Sequence, residues 1–372
     1  MSVNSPRPVA SQSSPLTSSP LTPLPQHPPA DVTYDHLIIP PHWRRAEEPG
    51  EANALFPAVE FPAVEPPQGY SPQSYSPAQP MTGPLLVGTT ARAFAKLDDV
   101  IRLAPEDKAI VDARRDEAER ALRAIFPPRC ALPLVGVATI GSAGRDTMIR
   151  PLDEVDIFAV FSAAGGAWKR FRWDSRDLLL CVRNAIGGDR VQTIGTRGQA
   201  LRVVYDSPPD VHLVPAFDHP RAGYVMPDRV GGWLPTRPER HASWAEDLGP
   251  RVTSAVRLLK AWNRVCGSQL RSFHIEALAG RVLAGRGLNT RQALATVFRH
   301  MDESGLAVVD PADVGGDLSA YLRPDDLAAL GEAIRLARSY AEKAVAAEDE
   351  GRHEEAVRLW STIFGPEFPA FG

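Results

Sequence analysis

The stretch that most constrains the fold covers residues 134–161. An apolar run, 134–140, is followed by Gly141 and Ser142, and after a polar connection comes a second apolar run, 157–161. Apolar runs of this length, separated by glycine and polar residues, are typical of neighbouring strands joined by a turn. The sequence therefore predicts a sheet whose first connection is shaped by a glycine.

Two carboxylates open the second of these runs. Because side chains alternate between the faces of a strand, Glu154 and Asp156 are expected to point the same way, with Val155 opposed. Two carboxylates on one face repel each other and favour a bound cation, for which oxygen ligands best suit Mg²⁺. Gly141 permits close approach of the backbone to a ligand, and Ser142 adds a hydroxyl and an N–H. The pattern predicts a site for a metal-bound triphosphate.

Composition excludes several classes of protein. The 372-residue chain has a net charge of -4 and a pI near 6.2, so no broad basic field would draw it to nucleic acid. Its three cysteines, Cys130, Cys181 and Cys266, are scattered and not spaced for zinc or a disulfide framework. No apolar run approaches the ~20 residues of a membrane span, and no secretory signal is evident. These features predict a cytoplasmic protein.

The first 84 residues differ in composition from the rest. They hold 19 of the 36 prolines and repeat the short sequences SPLT, FPAVE and YSP. Such a segment cannot bury enough apolar surface to offset the entropy of ordering, so residues 1–84 are predicted to be a disordered Pro-rich tail. Its apolar patch, 32–45, has two interpretations, a docking peptide or a sticky part of an unstructured leader.

Periodicity and caps in the remaining chain predict an α+β protein with two lobes. Residues 85–245 are expected to form a catalytic core, in which N-terminal helices accompany a mixed β-sheet, and 246–372 a helical lobe. The active site is expected in the cleft between them. The predicted helices cover 89–103, 105–127, a segment from 175 to 186, 249–266, 273–285, 290–304 and 325–364, and the later strands 191–194, 201–205 and 211–217.

A third acid, Asp210, begins the run DVHLVPAF. The preceding strand and a Ser-Pro-Pro turn would bring this run into the same sheet as Glu154 and Asp156. Three carboxylates on adjacent strands can hold two divalent ions about 3.5–4 Å apart, one activating the attacking hydroxyl and the other holding the leaving phosphate. An aspartate alone at this position is more often a turn residue, so the prediction depends on the three acids together.

Taken together, these motifs resemble a known superfamily. Gly141-Ser142-x4-Thr147, Glu154-Val155-Asp156-Ile157 and Asp210-Val211-x-Leu213-Val214-Pro215 are similar to the nucleotidyltransferases that share the DNA polymerase β-like core. The helical half narrows the resemblance to the bacterial cGAS/DncV-like nucleotidyltransferases of CBASS anti-phage systems. The segments that carry it are VRLLKAWNR (256–264), SFHIEAL (272–278), AVRLWSTIFGPEFP (356–369) and the connection 224–241.

The resemblance implies a synthase that joins nucleoside triphosphates into a cyclic di- or trinucleotide and thereby activates an anti-phage effector. It implies a C-terminal lobe like that of oligoadenylate synthetases, ATP, GTP or pyrimidine NTPs as substrates, and two Mg²⁺ or Mn²⁺ ions. By the same resemblance, Glu154, Asp156 and Asp210 are the catalytic metal ligands, with Asp210 nearest the attacking hydroxyl. The residues it assigns to the nucleotide phosphates are Gly141, Ser142, Lys260 and Ser272.

Two other functions remain open from the residues alone. A template-independent transferase acting on RNA or protein would use the same chemistry, but an RNA substrate favours a basic face that this composition lacks. A catalytically silent nucleotide-binding scaffold would not need all three acids. Lys260, read without the family, would be a solvated lysine on an amphipathic helix.

The chain ends at Gly372. Some members of the resembled family are joined through their C-terminus to target proteins by an E1/E2-like ligase. The resemblance therefore implies Gly372 as a conjugation site and such a ligase as a partner. The small residues after the last predicted helix are expected to form a flexible tail that reaches solvent.

Overall fold

The structure, a computed structural model, describes residues 86–186, 191–193, 200–219, 223–228, 230–312 and 316–372. The predicted tail 1–84 lies outside the described residues. Within them the strands are β1 (Leu86–Val87), β2 (Leu134–Thr139), β3 (Glu154–Ser162), β4 (Val191–Thr193), β5 (Leu201–Val203), β6 (Asp210–His219), β7 (Gly223–Pro227), β8 (Trp233–Thr236) and β9 (Ala370–Phe371).

The helices of the same residues are α1 (Thr90–Ile101), α2 (Pro105–Ile125), α3 (Gly141–Gly144), α4 (Ala167–Phe171), α5 (Ser175–Ile186), α6 (Pro238–Val265), α7 (Ser272–Leu283), α8 (Thr290–Ser304), α9 (Pro324–Asp349) and α10 (His353–Phe364).

A mixed sheet forms the centre of the first lobe, as predicted. Its strand order is β2-β3-β6-β5-β4, and β7 and β8 continue from the far end of β6. β3 and β6 run parallel, whereas β2 is antiparallel to β3 and β5 is antiparallel to β6. The α+β class with a mixed sheet and a helical lobe is confirmed by this arrangement.

Alternation along β3 divides the sheet into two faces. Val155, Ile157 and Phe161 are fully buried in a core that also contains side chains of α2 and α5. Phe158 and Val160 point the opposite way and form a second, smaller cluster with Val214 of β6. Glu154 and Asp156 share the parity of Phe158, so the carboxylates lie on the face of the smaller cluster.

The helical lobe has its own core, built from α6 to α10 around Trp262 and Trp360. α1 packs into this core through Phe94 and Leu97, whereas the sequence assigned the N-terminal helices to the catalytic core. The domain boundaries 85–245 and 246–372 therefore stay a prediction, and α1 connects the two lobes.

Two helix boundaries differ from prediction because of glycine. α6 begins at Pro238 and is interrupted at Gly249, whose φ of 75° is outside the helical region, before Pro250 restarts the helix. The single helix expected over 325–364 is wrong, because the chain turns at Gly351 (φ 75°) between α9 and α10.

The C-terminal segment is also more ordered than expected. Ala370 and Phe371 pair in parallel with Leu86 and Val87, and Phe368 just before them is buried against Phe94. The prediction of a flexible tail after the last helix is wrong for Ala370 and Phe371, because their backbones are paired with β1.

Candidate active site

The two carboxylates of β3 face a cavity. The side chains of Glu154 and Asp156 retain 60% and 39% of their exposure, and both line the cavity. Partly exposed carboxylates on one face of a strand can be approached from solvent by a cation, which takes oxygen ligands. The predicted placement of this pair on one face is therefore what the fold provides.

Gly141 adjoins Asp156 so closely that a side chain at this position would force Asp156 to move. Its φ is +65°, and a Cβ added there would lie 2.1 Å from Asp156 Oδ2. The loop beyond is closed by the carbonyl of Ser142, which accepts hydrogen bonds from the N–H groups of Thr147 and Met148 at 2.9 and 3.1 Å. Gly141 and Ser142 both line the cavity, as predicted for residues that approach a phosphate.

His212 lies between the two carboxylates. It is the parallel register partner of Asp156, its Nε2 is 2.9 Å from Glu154 Oε2, and its Nδ1 is 3.6 Å from Asp156 Oδ1. Burial lowers the pKa of His212, but hydrogen bonds to Asp156 and Glu154 outweigh burial and raise it to about 9. Sequence reasoning passed over His212, although its parity within the DVHLVP run placed it on the carboxylate face.

Asp210 has other partners. It is the register partner of Glu154, but its carboxylate accepts hydrogen bonds from Arg202 Nε and Nη2 at 2.9 and 2.7 Å and from the Tyr205 N–H at 3.1 Å. Asp210 is 8% exposed and is absent from the residues that line the cavity.

The contacts of Glu154, Asp156 and Asp210 determine how many of the two predicted metal ions these carboxylates could bind. Glu154 and Asp156 supply the oxygen ligands that one Mg²⁺ or Mn²⁺ takes from a protein when phosphates and water complete its shell. The described residues contain no cluster of three acidic, histidine or cysteine side chains already arranged as a metal site. The two carboxylates therefore suit one ion, which would compete with their contacts to His212, and a second ion through Asp210 would compete with Arg202.

Lys260 is not the solvated lysine that its helix pattern indicates. It is 5% exposed, and its ammonium donates to Glu276 Oε1 at 2.7 Å and to Thr147 O and Oγ1 at 2.9 and 3.0 Å. Arg145 also binds Glu276, with Nε 2.5 Å from Oε2. This network joins the loop after Gly141 to α6 and α7, and it places Lys260 in the cavity wall.

The charges of this network stabilise one another. Burial alone would raise the pKa of Glu276, but the cations of Lys260 and Arg145 bring it down to about 2. Burial also lowers the pKa of Lys260, against the opposing effect of Glu276. We take the ion pair to be intact, because Glu276 has two cationic partners within hydrogen-bonding distance.

The cavity itself has a volume of about 990 Å³ and takes its walls from both lobes. The sheet contributes Phe158 and Tyr224, whose rings meet edge to face at 5.4 Å. The helical lobe contributes Ser272 at the start of α7 and Phe273, with the Arg145 guanidinium 4.7 Å above its ring. Aromatic walls beside carboxylates and cations suit a ligand with flat bases and a charged phosphate chain.

The predicted site residues thus fall into two groups. The predicted metal and nucleotide ligands that line the common cavity are Gly141, Ser142, Glu154, Asp156, Lys260 and Ser272, whereas Asp210 does not line it. Gly372 lies beyond β9 and is not among the lining residues.

Residues 89–248 match the family of the Second Messenger Oligonucleotide or Dinucleotide Synthetase domain. Among curated proteins, a probable cyclic nucleotide synthase of Bacillus cereus is 23% identical over 269 residues, covering 62% of this chain and 81% of that protein. The CBASS oligonucleotide cyclase CdnC of Escherichia coli is 23% identical over 305 residues, covering 73% of this chain and 94% of its own.

Solved structures show the same fold. CdnC of E. coli MS115-1 in complex with HORMA-deltaN superposes with a TM-score of 0.59 at 18% identity, over 75% of this chain and 98% of that one. Vibrio cholerae DncV, a cyclic AMP-GMP synthase in complex with a linear intermediate, gives 0.59 at 14% identity, over 76% and 98%. Residues 89–248 therefore match a second messenger oligonucleotide or dinucleotide synthetase domain, and the chain has the fold of the cGAS/DncV-like nucleotidyltransferases.

Proposed function

We propose that this protein uses a divalent ion to join nucleoside triphosphates into a cyclic di- or trinucleotide, which activates an anti-phage effector. The observation that carries the proposal is the pair of exposed carboxylates, Glu154 and Asp156, at the edge of a cavity of about 990 Å³ with walls from both lobes. A cavity of this size has room for two nucleotides to lie together.

Each predicted residue of the cavity has a separate role in this proposal. Glu154 and Asp156 would hold Mg²⁺ or Mn²⁺, and the ion would neutralise charge on the triphosphate. Gly141 and Ser142 would lie against the phosphates, and the absence of a Cβ at Gly141 leaves Asp156 in place beside them. Ser272 would add a hydroxyl from the opposite wall, and Lys260 would contribute positive charge close to the phosphates while holding Thr147 and Glu276 in place.

Names of relatives support the biological part of the proposal. CdnC is a CBASS oligonucleotide cyclase, and DncV is a cyclic AMP-GMP synthase. We propose the same class of product and the same use in defence for this chain. A transferase acting on RNA is less well supported, because a net charge of -4 offers little long-range attraction for a polyanion.

The test is to incubate the full chain with all four NTPs and Mg²⁺ or Mn²⁺ and to analyse the products by mass spectrometry. A cyclic di- or trinucleotide is expected, and the double variant Glu154→Ala, Asp156→Ala should give none while keeping its melting temperature. Linear extension of added RNA without a cyclic product would support the other transferase function. Full turnover by the double variant would contradict the site.

A ligase partner belongs to the same proposal. We propose Gly372 as the attachment point for an E1/E2-like ligase, on the resemblance of the family alone. Since Ala370 and Phe371 are paired with Leu86 and Val87, a ligase would have to separate these strands to enclose the terminal residues. Co-expression with such a ligase should give higher-mass adducts of the wild type and none of Gly372→Glu.

A further inference from the structure

We propose that the imidazole of His212, and not the carboxylate of Asp210, is the third protein ligand of the metal site formed with Glu154 and Asp156. The inference rests on the proposed function only in requiring that a divalent ion binds these two carboxylates.

The register of the sheet places His212 where a third ligand is needed. Glu154, Asp156 and His212 project from neighbouring parallel strands onto one face. Nε2 of His212 lies 2.9 Å from Glu154 Oε2, which is about the separation of two adjacent donors around an octahedral ion with bonds of ~2.1 Å. The other ring nitrogen faces Asp156 at 3.6 Å. All three side chains line the cavity.

Asp210 has a different task. Its three hydrogen bonds come from the Arg202 guanidinium and from the Tyr205 N–H, so its carboxylate closes the connection between β5 and β6. Freeing that carboxylate for a metal would leave Arg202 without these contacts and the partly buried Tyr205 N–H without this acceptor, which costs free energy. The geometry therefore makes Asp210 a residue that positions β6, and so positions His212.

A nitrogen ligand changes which metal the site prefers. Mg²⁺ binds oxygen donors almost exclusively, whereas Mn²⁺ and the later divalent ions also accept imidazole. A site of two carboxylates and one imidazole is expected to favour Mn²⁺ over Mg²⁺ more strongly than a site of three carboxylates. Replacing the imidazole by a carboxylate should therefore reduce that preference.

The experiment uses Mn²⁺ as the probe, on the full metal-free chain with a non-hydrolysable ATP analogue. Pulsed electron paramagnetic resonance detects a histidine nitrogen bonded directly to Mn²⁺, and histidine labelled with ¹⁵N distinguishes it from nitrogens of the nucleotide. Wild type should show the labelled coupling and His212→Asp should lose it. His241→Gln is the matched control, because His241 lines the same cavity but pairs with Asp310.

Affinities complete the test. His212→Ala should weaken Mn²⁺ binding about tenfold or more, Asp210→Asn should change it less than about threefold, and His212→Asp should lower the Mn²⁺ to Mg²⁺ affinity ratio. Melting temperatures and circular dichroism confirm that each variant folds. The proposal is overturned if wild type shows no histidine coupling, or if Asp210→Asn abolishes Mn²⁺ binding while His212→Ala retains it.

The readout also separates this inference from the proposed function. The complex with the analogue does not turn over, so a histidine coupling without any cyclic product would count against the synthase and leave the metal ligand established. A cyclic product without the histidine coupling would support the synthase function and count against His212 as a metal ligand.

Discussion

At the scale of single residues, Gly141 is the position with the least freedom. The chain needs a positive φ there, and Asp156 Oδ2 occupies the space that a Cβ would take. Gly141→Ala should therefore cost about 1–2 kcal/mol through backbone strain and, in addition, displace Asp156 from the cavity edge. We expect loss of metal-dependent product together with a lower melting temperature.

Gly136 offers the matched control for that substitution. It lies on β2, has no positive φ, and a Cβ added to it meets nothing within 4 Å. Gly136→Ala should keep both product formation and the melting temperature. If Gly141→Ala behaved like Gly136→Ala, the close approach of Gly141 to Asp156 would not matter for the site.

Glu276 is the second informative residue, because it is 1% exposed and binds both Lys260 and Arg145. Glu276→Gln leaves two cations without their counter-charge. Breaking a buried pair in this way costs about 3–5 kcal/mol, which chemical unfolding can measure. The control is Glu354→Gln, since Glu354 pairs with Arg358 on the surface, where loss of a pair costs less than about 1 kcal/mol.

The depressed pKa of Glu276 predicts a pH dependence. The pKa is about 2 in the folded protein against an ordinary value of 4.5, so the charged carboxylate adds stability above pH 4.5. That contribution is lost as the pH falls from 4.5 towards about 2. The difference in unfolding free energy between wild type and Glu276→Gln should therefore be larger at about pH 5 than at about pH 3. An equal difference at both would exclude the ion pair as its cause.

At the scale of elements, α1 is the helix that packs away from the sheet with which the sequence grouped it. Phe94 meets Trp360, Phe364 and Phe368, with ring centroids 4.9 to 5.7 Å apart. α1 is therefore part of the helical core, although it precedes the catalytic sheet in the chain. Arg257 of α6 strengthens the connection by binding Asp98 of α1 through two hydrogen bonds of 2.9 Å.

This packing predicts that Phe94→Ala destabilises the helical lobe. Removing a buried phenylalanine costs about 3–5 kcal/mol, to be measured by chemical unfolding. Leu336→Ala is the control, because Leu336 of α9 is 52% exposed and its loss should change stability by less than about 0.5 kcal/mol. A small effect of Phe94→Ala would show that α1 is peripheral to the core.

At the scale of the whole molecule, the two lobes share one cavity. Among the residues that the structure describes, none of the helices could span a membrane. A ligand in the cavity must contact both lobes at once. Adding a non-hydrolysable ATP analogue with Mn²⁺ should therefore slow hydrogen exchange in residues 138–156 of the sheet lobe and in 268–276 of the helical lobe together.

The turn between α9 and α10, residues 350–352, is outside the cavity lining and is the internal control for this exchange experiment. Its exchange should not change with the analogue. Protection confined to one lobe would contradict a site shared by both. The double variant Glu154→Ala, Asp156→Ala should lose most of the protection.

The sequence by itself determined what depends on local pattern. Alternation within β3 put Glu154 and Asp156 on one face and the apolar side chains opposite them on the other, since successive side chains of a strand always alternate. Gly141 at the end of β2 was identifiable because a turn against a ligand excludes side chains. The family resemblance and the fold class followed from the same motifs and are confirmed.

Only the tertiary structure decided which distant groups meet. Nothing local in α6 indicates that Lys260 is buried against Glu276 and Thr147. The parallel register of β3 and β6 brings His212, rather than Asp210, between the two carboxylates. Asp210 instead forms an ion pair with Arg202 on β5. These choices depend on contacts between residues far apart in the chain, and a side chain's burial and charge are set by whichever neighbours the packed elements bring to it.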